Sequence, residues 1–295
     1  MAERVRLALV WHMHQPSYKD ALSGRVLLPW TRLHVTKDYR DMVELLERYP
    51  RVHATFNLTP ILLDQIEGLA AGASDAYLEL ARKPAESLTP EEQRFLARHF
   101  FSVHRERMLE SHPRYRELWE RAQGARPGRS GSTGALRAAE LRDLQVWFHL
   151  AWVDPGYANE EPIRSLLGKG NGFTEEEKGA LLDWGVACAA ATIPAYRKAA
   201  ARGQVELSTS AYYHPILPLL IDTGAPREVS ATLALPSPPF RAPPDAAEHL
   251  RRARASHEAR FGTLPRGTWP PEGAVGDAAL ALVAAAGFSW AASDE

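Results

Sequence analysis

The chain has 295 residues, of which 45% are hydrophobic and 24% charged, a composition typical of a globular protein with a sizeable core. Its 35 Lys and Arg against 36 Asp and Glu give no broad positive charge for binding nucleic acid or an anionic membrane. A single cysteine, Cys188, excludes an internal disulfide and a cysteine-based zinc cluster, and no apolar run reaches the length of about 20 residues that spans a bilayer. Residues 4–10 are too short for the core of a secretion signal, which favours the cytoplasm.

Strand and helix patterns alternate in the first 70 residues. The apolar run 5–10 predicts a buried strand that a loop follows, and residues 52–58 predict a second strand. Residues 35–48 predict a helix capped by Thr36, and another helix starts at Ile61.

The region from about 73 to 200 is rich in Glu, Arg, Leu and Ala and predicts several helices. Ser87 or Thr89 can cap a helix that begins at Pro90, and Thr174 precedes a run of glutamates that opens another helix. Residues 124–134 predict a flexible break. We interpret this region as a helical insertion within one catalytic domain.

Strand and helix patterns alternate again in the last third of the chain. The predicted order is strand, loop, helix, helix and strand, over residues 204–209, 236–244, 246–261, 277–286 and 288–293. This alternation predicts an α/β fold with a parallel sheet or barrel. The chain stops directly after a predicted strand with no covering helix, which indicates an interrupted fold.

Two histidines at the end of the first strand are the first candidates for chemistry. His12 and His14 alternate along the chain, so their imidazoles point the same way. They could form half of a metal site, or donate to and accept from sugar hydroxyls. The chain contains no further His-x-His and no His-Glu-x-x-His sequence to complete a metal site.

Two further stretches carry carboxylates near aromatic residues. Gln204 and Glu206 would share one face of their strand, which suits sugar hydroxyls or, equally, a solvated edge. Glu272 follows Trp269 and two prolines, so it could act as a nucleophile or acid/base, or could interact with a helix dipole. Asp294 and Glu295 form either a carboxylate pair at a strand end or a severed terminus.

Taken together, these stretches resemble glycoside hydrolase family 57, whose members act on α-glucans through an incomplete (β/α)7 barrel. The first family region is found as His14-Gln15-Pro16 and the second as Gly203-Gln204-Val205-Glu206. The third, a Trp-Pro-x-Glu-Gly-like loop, is found as Trp269–Gly273. The motifs occur in the family order and cover essentially the whole chain.

The resemblance implies that Glu272 is the nucleophile of a retaining mechanism that requires neither metal nor cofactor. It implies an α-glucan or malto-oligosaccharide substrate. The side chains that it assigns to substrate binding are His12, His14, Gln15, Glu206, His214 and Trp269.

The chain departs from the family pattern after the third region. The family's acid/base Asp comes from a fourth region further downstream, and only 23 residues follow Glu272. We therefore expect residues 1–295 to be the N-terminal part of the catalytic barrel, truncated at the C-terminus. Unpaired strands at the barrel edge then predict self-association or a missing C-terminal segment.

Two other hypotheses remain at this point. A metal-dependent hydrolase of the amidohydrolase or polysaccharide-deacetylase type would use His12 and His14 and would bind zinc. A non-catalytic glucan-binding protein on a decayed barrel would retain the aromatic and polar lining without needing Glu272.

Overall fold

The computed structural model describes residues 7–124 and 136–293, which form two compact units. The first comprises the described residues within Met1–Ser17, Val43–Glu67 and Ile193–Glu295, and the second comprises Tyr18–Met42 and those within Gly68–Thr192. Asp294, Glu295 and the break expected at 124–134, apart from Gly124, lie outside the described residues.

The first unit contains a three-stranded parallel sheet in the order β1-β2-β3. Its strands are β1 (Val10–Met13), β2 (Ala54–Leu58) and β3 (Val205–Ser208). In the β1–β2 register His12 lies opposite Asn57, and in the β2–β3 register Asn57 lies opposite Ser208. The strand ends that carry polar residues are therefore level with one another.

Two short strands continue this arrangement. The strands β4 (Gly267–Thr268) and β5 (Trp290–Ala291) form a parallel pair, and a parallel bridge from Thr209 to Thr268 links the end of β3 to β4. The described strands thus follow one another in chain order and run parallel. The α/β class expected from the alternation of patterns is confirmed.

Four of the described helices lie wholly or largely in the first unit, and the last three of them pack through a small apolar cluster. They are α3 (Pro60–Ala70), α10 (Leu217–Ile221), α11 (Pro243–Phe261) and α12 (Asp277–Ala285). Leu217, Leu250 and Val283, one from each of the last three helices, meet in the cluster. The predicted helices at 246–261 and 277–286 are confirmed to within a few residues.

The second unit is helical. Its core is rich in aromatic side chains such as Tyr77, Phe100 and Phe148. Helices that lie wholly or partly in it are α1 (Trp30–His34), α2 (Arg40–Leu45), α4 (Ala76–Arg82), α5 (Pro90–His99), α6 (Pro113–Gly124), α7 (Ala138–Leu150), α8 (Ile163–Lys169) and α9 (Glu175–Ala201). Thr89 forms the expected cap with Glu92. No described helix is both long enough and apolar enough to cross a bilayer.

The predicted helix at 35–48 differs from the observed one. Helical structure begins at Trp30, and a π-helical turn occupies Val35–Tyr39. Thr36 is therefore not a cap, because the residues before it are already helical. Its hydroxyl instead donates to the carbonyl of Leu33, as buried threonines within helices commonly do.

Gln204 holds the turn that precedes β2. Its side chain is buried, and its Nε2 donates to the carbonyls of Leu46, Tyr49 and Val52 over 2.8–3.2 Å. The carbonyls of Leu46 and Tyr49 also accept from backbone N–H groups of this turn, so Gln204 adds a second donor to each. Gln204 therefore has a structural role, whereas Glu206 is the exposed residue of β3.

Replacing Gln204 with leucine is expected to lower the free energy of unfolding by about 1–3 kcal/mol, because the turn loses the three hydrogen bonds of the buried amide. Urea denaturation of Gln204→Leu and wild type measures this difference. Equal midpoints and slopes would contradict the structural role.

Candidate active site

The candidate site lies where the parallel strands end. His12 belongs to β1 and His14 follows it, while Asn57 belongs to β2. Ser208 ends β3, and Trp269 directly follows β4. Ligands of open α/β sheets bind at this edge because the carboxyl ends of parallel strands meet there.

Asn57 joins these strand ends through hydrogen bonds, and its side chain is fully buried. Its Oδ1 lies 2.7 Å from His12 Nδ1 and 2.9 Å from Ser210 Oγ. Its Nδ2 donates to Ser208 Oγ over 3.1 Å. Ser210 Oγ also lies 2.7 Å from the carbonyl oxygen of Trp269. One amide thus connects three strands and, through Ser210, the loop after the fourth.

Four rings form a nearly parallel wall beside this network. The ring centres of His14 and His214 are 4.0 Å apart, those of His12 and His214 4.9 Å, and those of His12 and Trp269 5.8 Å. The interplanar angles are only 21–26°. Such a wall can pack against the C–H face of a sugar and offer ring nitrogens to its hydroxyls.

Glu272 and His214 both have left-handed backbone conformations, with φ of 58° and 59°. Glu272 Oε1 lies 3.7 Å from His214 Nδ1. The Glu272 side chain is 68% exposed, whereas that of His214 is 3% exposed. Positive φ is costly for residues other than glycine and concentrates at functional sites. The turn therefore holds a carboxylate at an accessible point beside the ring wall.

The three imidazoles are neutral near pH 7 because burial disfavours their charged form. Burial lowers the pKa of His12, although the hydrogen bond to Asn57 and the charge of Glu272 act in the opposite direction. Burial and neighbouring histidines lower the pKa of His14 to about 4 and that of His214 to about 3. Each neutral ring has one nitrogen that donates and one that accepts. The Nε2 atom of His214 is buried and has no partner among the described residues.

Glu206 shares a face of β3 with Ser208 but lies two residues before it. Its Oε1 accepts a hydrogen bond of 3.0 Å from Trp290 Nε1. The indole of Trp290 packs directly over Gly267, where a Cβ atom would lie 1.9 Å from the ring. Glu206 thus contacts β5 and lies two residues before the end of β3, away from the strand ends where the other candidate residues are found.

Five of the residues predicted from the sequence come together: His12, His14, His214, Trp269 and Glu272. Gln15 is half-buried in the loop next to His14.

Sequence reasoning missed Asn57, Thr59, Ser208 and Ser210. His14 Nδ1 lies 3.3 Å from Thr59 Oγ1, so Thr59 supports His14 as Asn57 supports His12. The missed residues are spaced two apart at the end of otherwise apolar strands, and this spacing was the available signal.

The metal-site hypothesis finds no ligand set in the part of the chain that the structure describes. No group of three or more His, Cys, Asp or Glu there is arranged to hold a metal ion. The single cysteine, Cys188, is buried in α9.

Replacing Gly267 with alanine is expected to lower the free energy of unfolding by about 1–3 kcal/mol, because the new Cβ overlaps the Trp290 ring. In a Trp290→Ala background the same change should cost much less. Chemical denaturation of the two single variants and the double variant tests this. Additive losses would show that the two residues do not meet.

Protonation of His214 is expected to link stability to pH. Its folded pKa of about 3 lies below the reference value of 6.5, so the unfolded chain binds more protons between these values. Stability from this residue is present above pH 6.5 and is lost as pH falls. Between pH 7 and 5.5, His214→Gln should lose about 1 kcal/mol less stability than wild type.

Urea denaturation at the two pH values measures this difference for His214→Gln and for a control. The control is His53→Gln, which removes an exposed histidine. An equal loss in wild type and His214→Gln would contradict the assignment.

The sequence of the chain matches a known protein family. Residues 8–295 match the sequence profile of "Glycosyl hydrolase family 57". No curated protein sequence matches the chain significantly.

Three solved structures resemble the chain at low identity. The α-amylase AmyC of Thermotoga maritima has 13% identity and a TM-score of 0.46, with 96% of this chain and 38% of that chain covered. The branching enzyme TK1436 of Thermococcus kodakaraensis has 16% identity and a TM-score of 0.42, with 90% of this chain and 32% of that chain covered. The branching enzyme of Pyrococcus horikoshii has 19% identity and a TM-score of 0.39, with 90% of this chain and 34% of that chain covered. The chain spans about a third of the length of these proteins. Since the family profile matches nearly every residue, the chain belongs to glycoside hydrolase family 57.

Proposed function

We propose that this chain provides the nucleophile and part of the sugar site of a retaining glycoside hydrolase or transglycosidase that acts on α-glucans. The observation that carries the proposal is the position of Glu272. Its side chain is exposed on a left-handed turn, and Oε1 lies 3.7 Å from His214 Nδ1, beside the ring wall.

In the proposed reaction, Glu272 attacks the anomeric carbon and the glycosidic oxygen leaves, which produces a covalent glycosyl-enzyme. Attack on that ester by water gives hydrolysis, and attack by a sugar hydroxyl gives transfer. Either attack inverts the centre a second time, so the configuration is retained. A retaining site needs a second carboxyl group about 5–5.5 Å from the nucleophile, as acid and then base. We assign that role to none of the described carboxyl groups.

The remaining residues are proposed to bind the sugar. The neutral imidazoles of His12 and His14 supply donors and acceptors without placing positive charge beside Glu272. Trp269 provides a ring face for the C–H surface of a sugar, and the buried ring of His214 borders the site by packing against His12 and His14. Gln15 borders the same strand end, and Glu206 contributes through its contact with Trp290.

An α-glucan or malto-oligosaccharide is the substrate class that membership of the family supports. The cytoplasmic location, the self-association and the missing C-terminal segment stay predictions from the sequence.

Covalent trapping tests the nucleophile. The purified chain is incubated with a fluorinated α-glucosyl fluoride, and the adduct is mapped by peptide mass spectrometry. Because fluoride leaves without protonation, labelling does not require the acid. We expect a single adduct on Glu272, and Glu272→Gln should be labelled at less than about a thousandth of the wild-type rate.

The matched control is Glu228→Gln, which removes an exposed carboxylate and should be labelled like wild type. An adduct on Glu206 would reverse the roles proposed here. A folded chain that binds malto-oligosaccharide but acquires no adduct would support the non-catalytic glucan-binding hypothesis instead.

A further inference from the structure

We infer that Asn57 is a positioning residue that holds His12 in the Nδ1–H tautomer and so presents the Nε2 lone pair to the substrate. The role of Nε2 toward a sugar hydroxyl rests on the proposed function. The tautomer itself does not, because the protein establishes it without ligand.

The distances around the amide favour this orientation. Asn57 Oδ1 lies 2.7 Å from His12 Nδ1, which is typical of a short N–H···O bond and tight for two nitrogens. Asn57 Nδ2 donates to Ser208 Oγ over 3.1 Å. With the amide oxygen facing the ring, Nδ1 must carry the proton, and Nε2 is left as the acceptor.

The hydroxyl of Ser210 lies on the same side of the amide. Its Oγ donates to Asn57 Oδ1 over 2.9 Å. An amide oxygen accepts two hydrogen bonds, so His12 Nδ1–H and Ser210 can both donate to Asn57 Oδ1.

Because the network around Asn57 is buried, it strongly favours one tautomer of His12. Asn57, Ser208 and Ser210 are all fully buried, so water cannot replace a lost partner. An unprotonated Nδ1 would place its lone pair 2.7 Å from that of the Asn57 oxygen, and the hydrogen bond between His12 and Asn57 would be lost. A free neutral histidine is under no such constraint, and its imidazole carries the proton mainly on Nε2.

The tautomer of His12 determines which chemical group this residue can recognise. His12 Nε2 accepts a hydrogen bond, so the group that it recognises must be a donor, such as a sugar hydroxyl. Because His12 is neutral and its Nε2 carries no proton, it is a binding group and cannot serve as the acid.

The test is nuclear magnetic resonance of the whole chain labelled with ¹⁵N-histidine, at pH 7 and without ligand. Long-range proton–nitrogen correlations identify which ring nitrogen carries the proton, and His12→Gln assigns the signal. We expect His12 to be protonated at Nδ1 and bare at Nε2. A wild-type His12 protonated at Nε2 alone would overturn the inference, and this measurement needs no Asn57 variant to fold.

Variants then connect the tautomer to Asn57. Asn57→Leu should return His12 to the Nε2–H form, whereas Asn57→Asp, which retains an acceptor oxygen, should keep Nδ1 protonated. The matched control is Asn159→Leu, at an exposed position in the other unit, which should leave the signal unchanged. An Nδ1–H tautomer that persists in folded Asn57→Leu would also overturn the inference.

Trapping kinetics supply the functional readout. Asn57→Leu should slow the labelling of Glu272 by about 2- to 12-fold, the value of one neutral hydrogen bond, and Asn57→Asp should be labelled faster than Asn57→Leu. If Glu272 acquires no adduct while His12 keeps the Nδ1–H form, the proposed function fails and this inference stands.

Discussion

The hydrogen bonds of Asn57 fix the relative positions of the groups that could bind a substrate. A parallel sheet places the carboxyl ends of its strands at one edge, but it does not by itself orient the side chains there. Asn57 supplies that orientation, since its amide contacts His12 on one side and Ser208 and Ser210 on the other. The hydrogen bonds of the network offset the free-energy cost of removing its polar atoms from water, because each buried polar atom in it has a partner.

Desolvation also gives the site its electrostatic character. Three fully hydrated histidines would be partly charged near neutral pH, and their charges would repel one another. The stacked arrangement of the rings, with His14 and His214 only 4.0 Å apart, is compatible with neutral imidazoles. A neutral wall places no positive charge beside Glu272, which would preserve the ability of the proposed nucleophile to attack an electrophilic carbon.

Much of this arrangement could be predicted from the sequence, for reasons that differ between residues. Glu272, Trp269 and the histidines were visible because their residue types are unusual next to apolar strands. Asn57 and Ser208 looked like ordinary strand residues, since their importance comes from register, which pairs positions about 150 apart in the chain. The alternation of Gln204 and Glu206 suited either sugar hydroxyls or a solvated edge, yet Gln204 is buried and donates to three carbonyls of the turn before β2. Thr36 failed as a cap for a related reason, since the helix extends beyond the segment that its pattern defined.

The two left-handed residues have a meaning for how the protein can change over time. A backbone held at φ near 60° costs a side-chain-bearing residue about 1–2 kcal/mol, a cost that glycine avoids. Selection for stability alone would therefore favour glycine in place of Glu272, whose side chain is exposed, but not in place of His214, whose buried ring packs against His12 and His14. A descendant of this protein that no longer needed its chemistry would be free to make the change at Glu272 first. Glycine at that position in a homologue would thus mark the loss of function more clearly than general sequence divergence does.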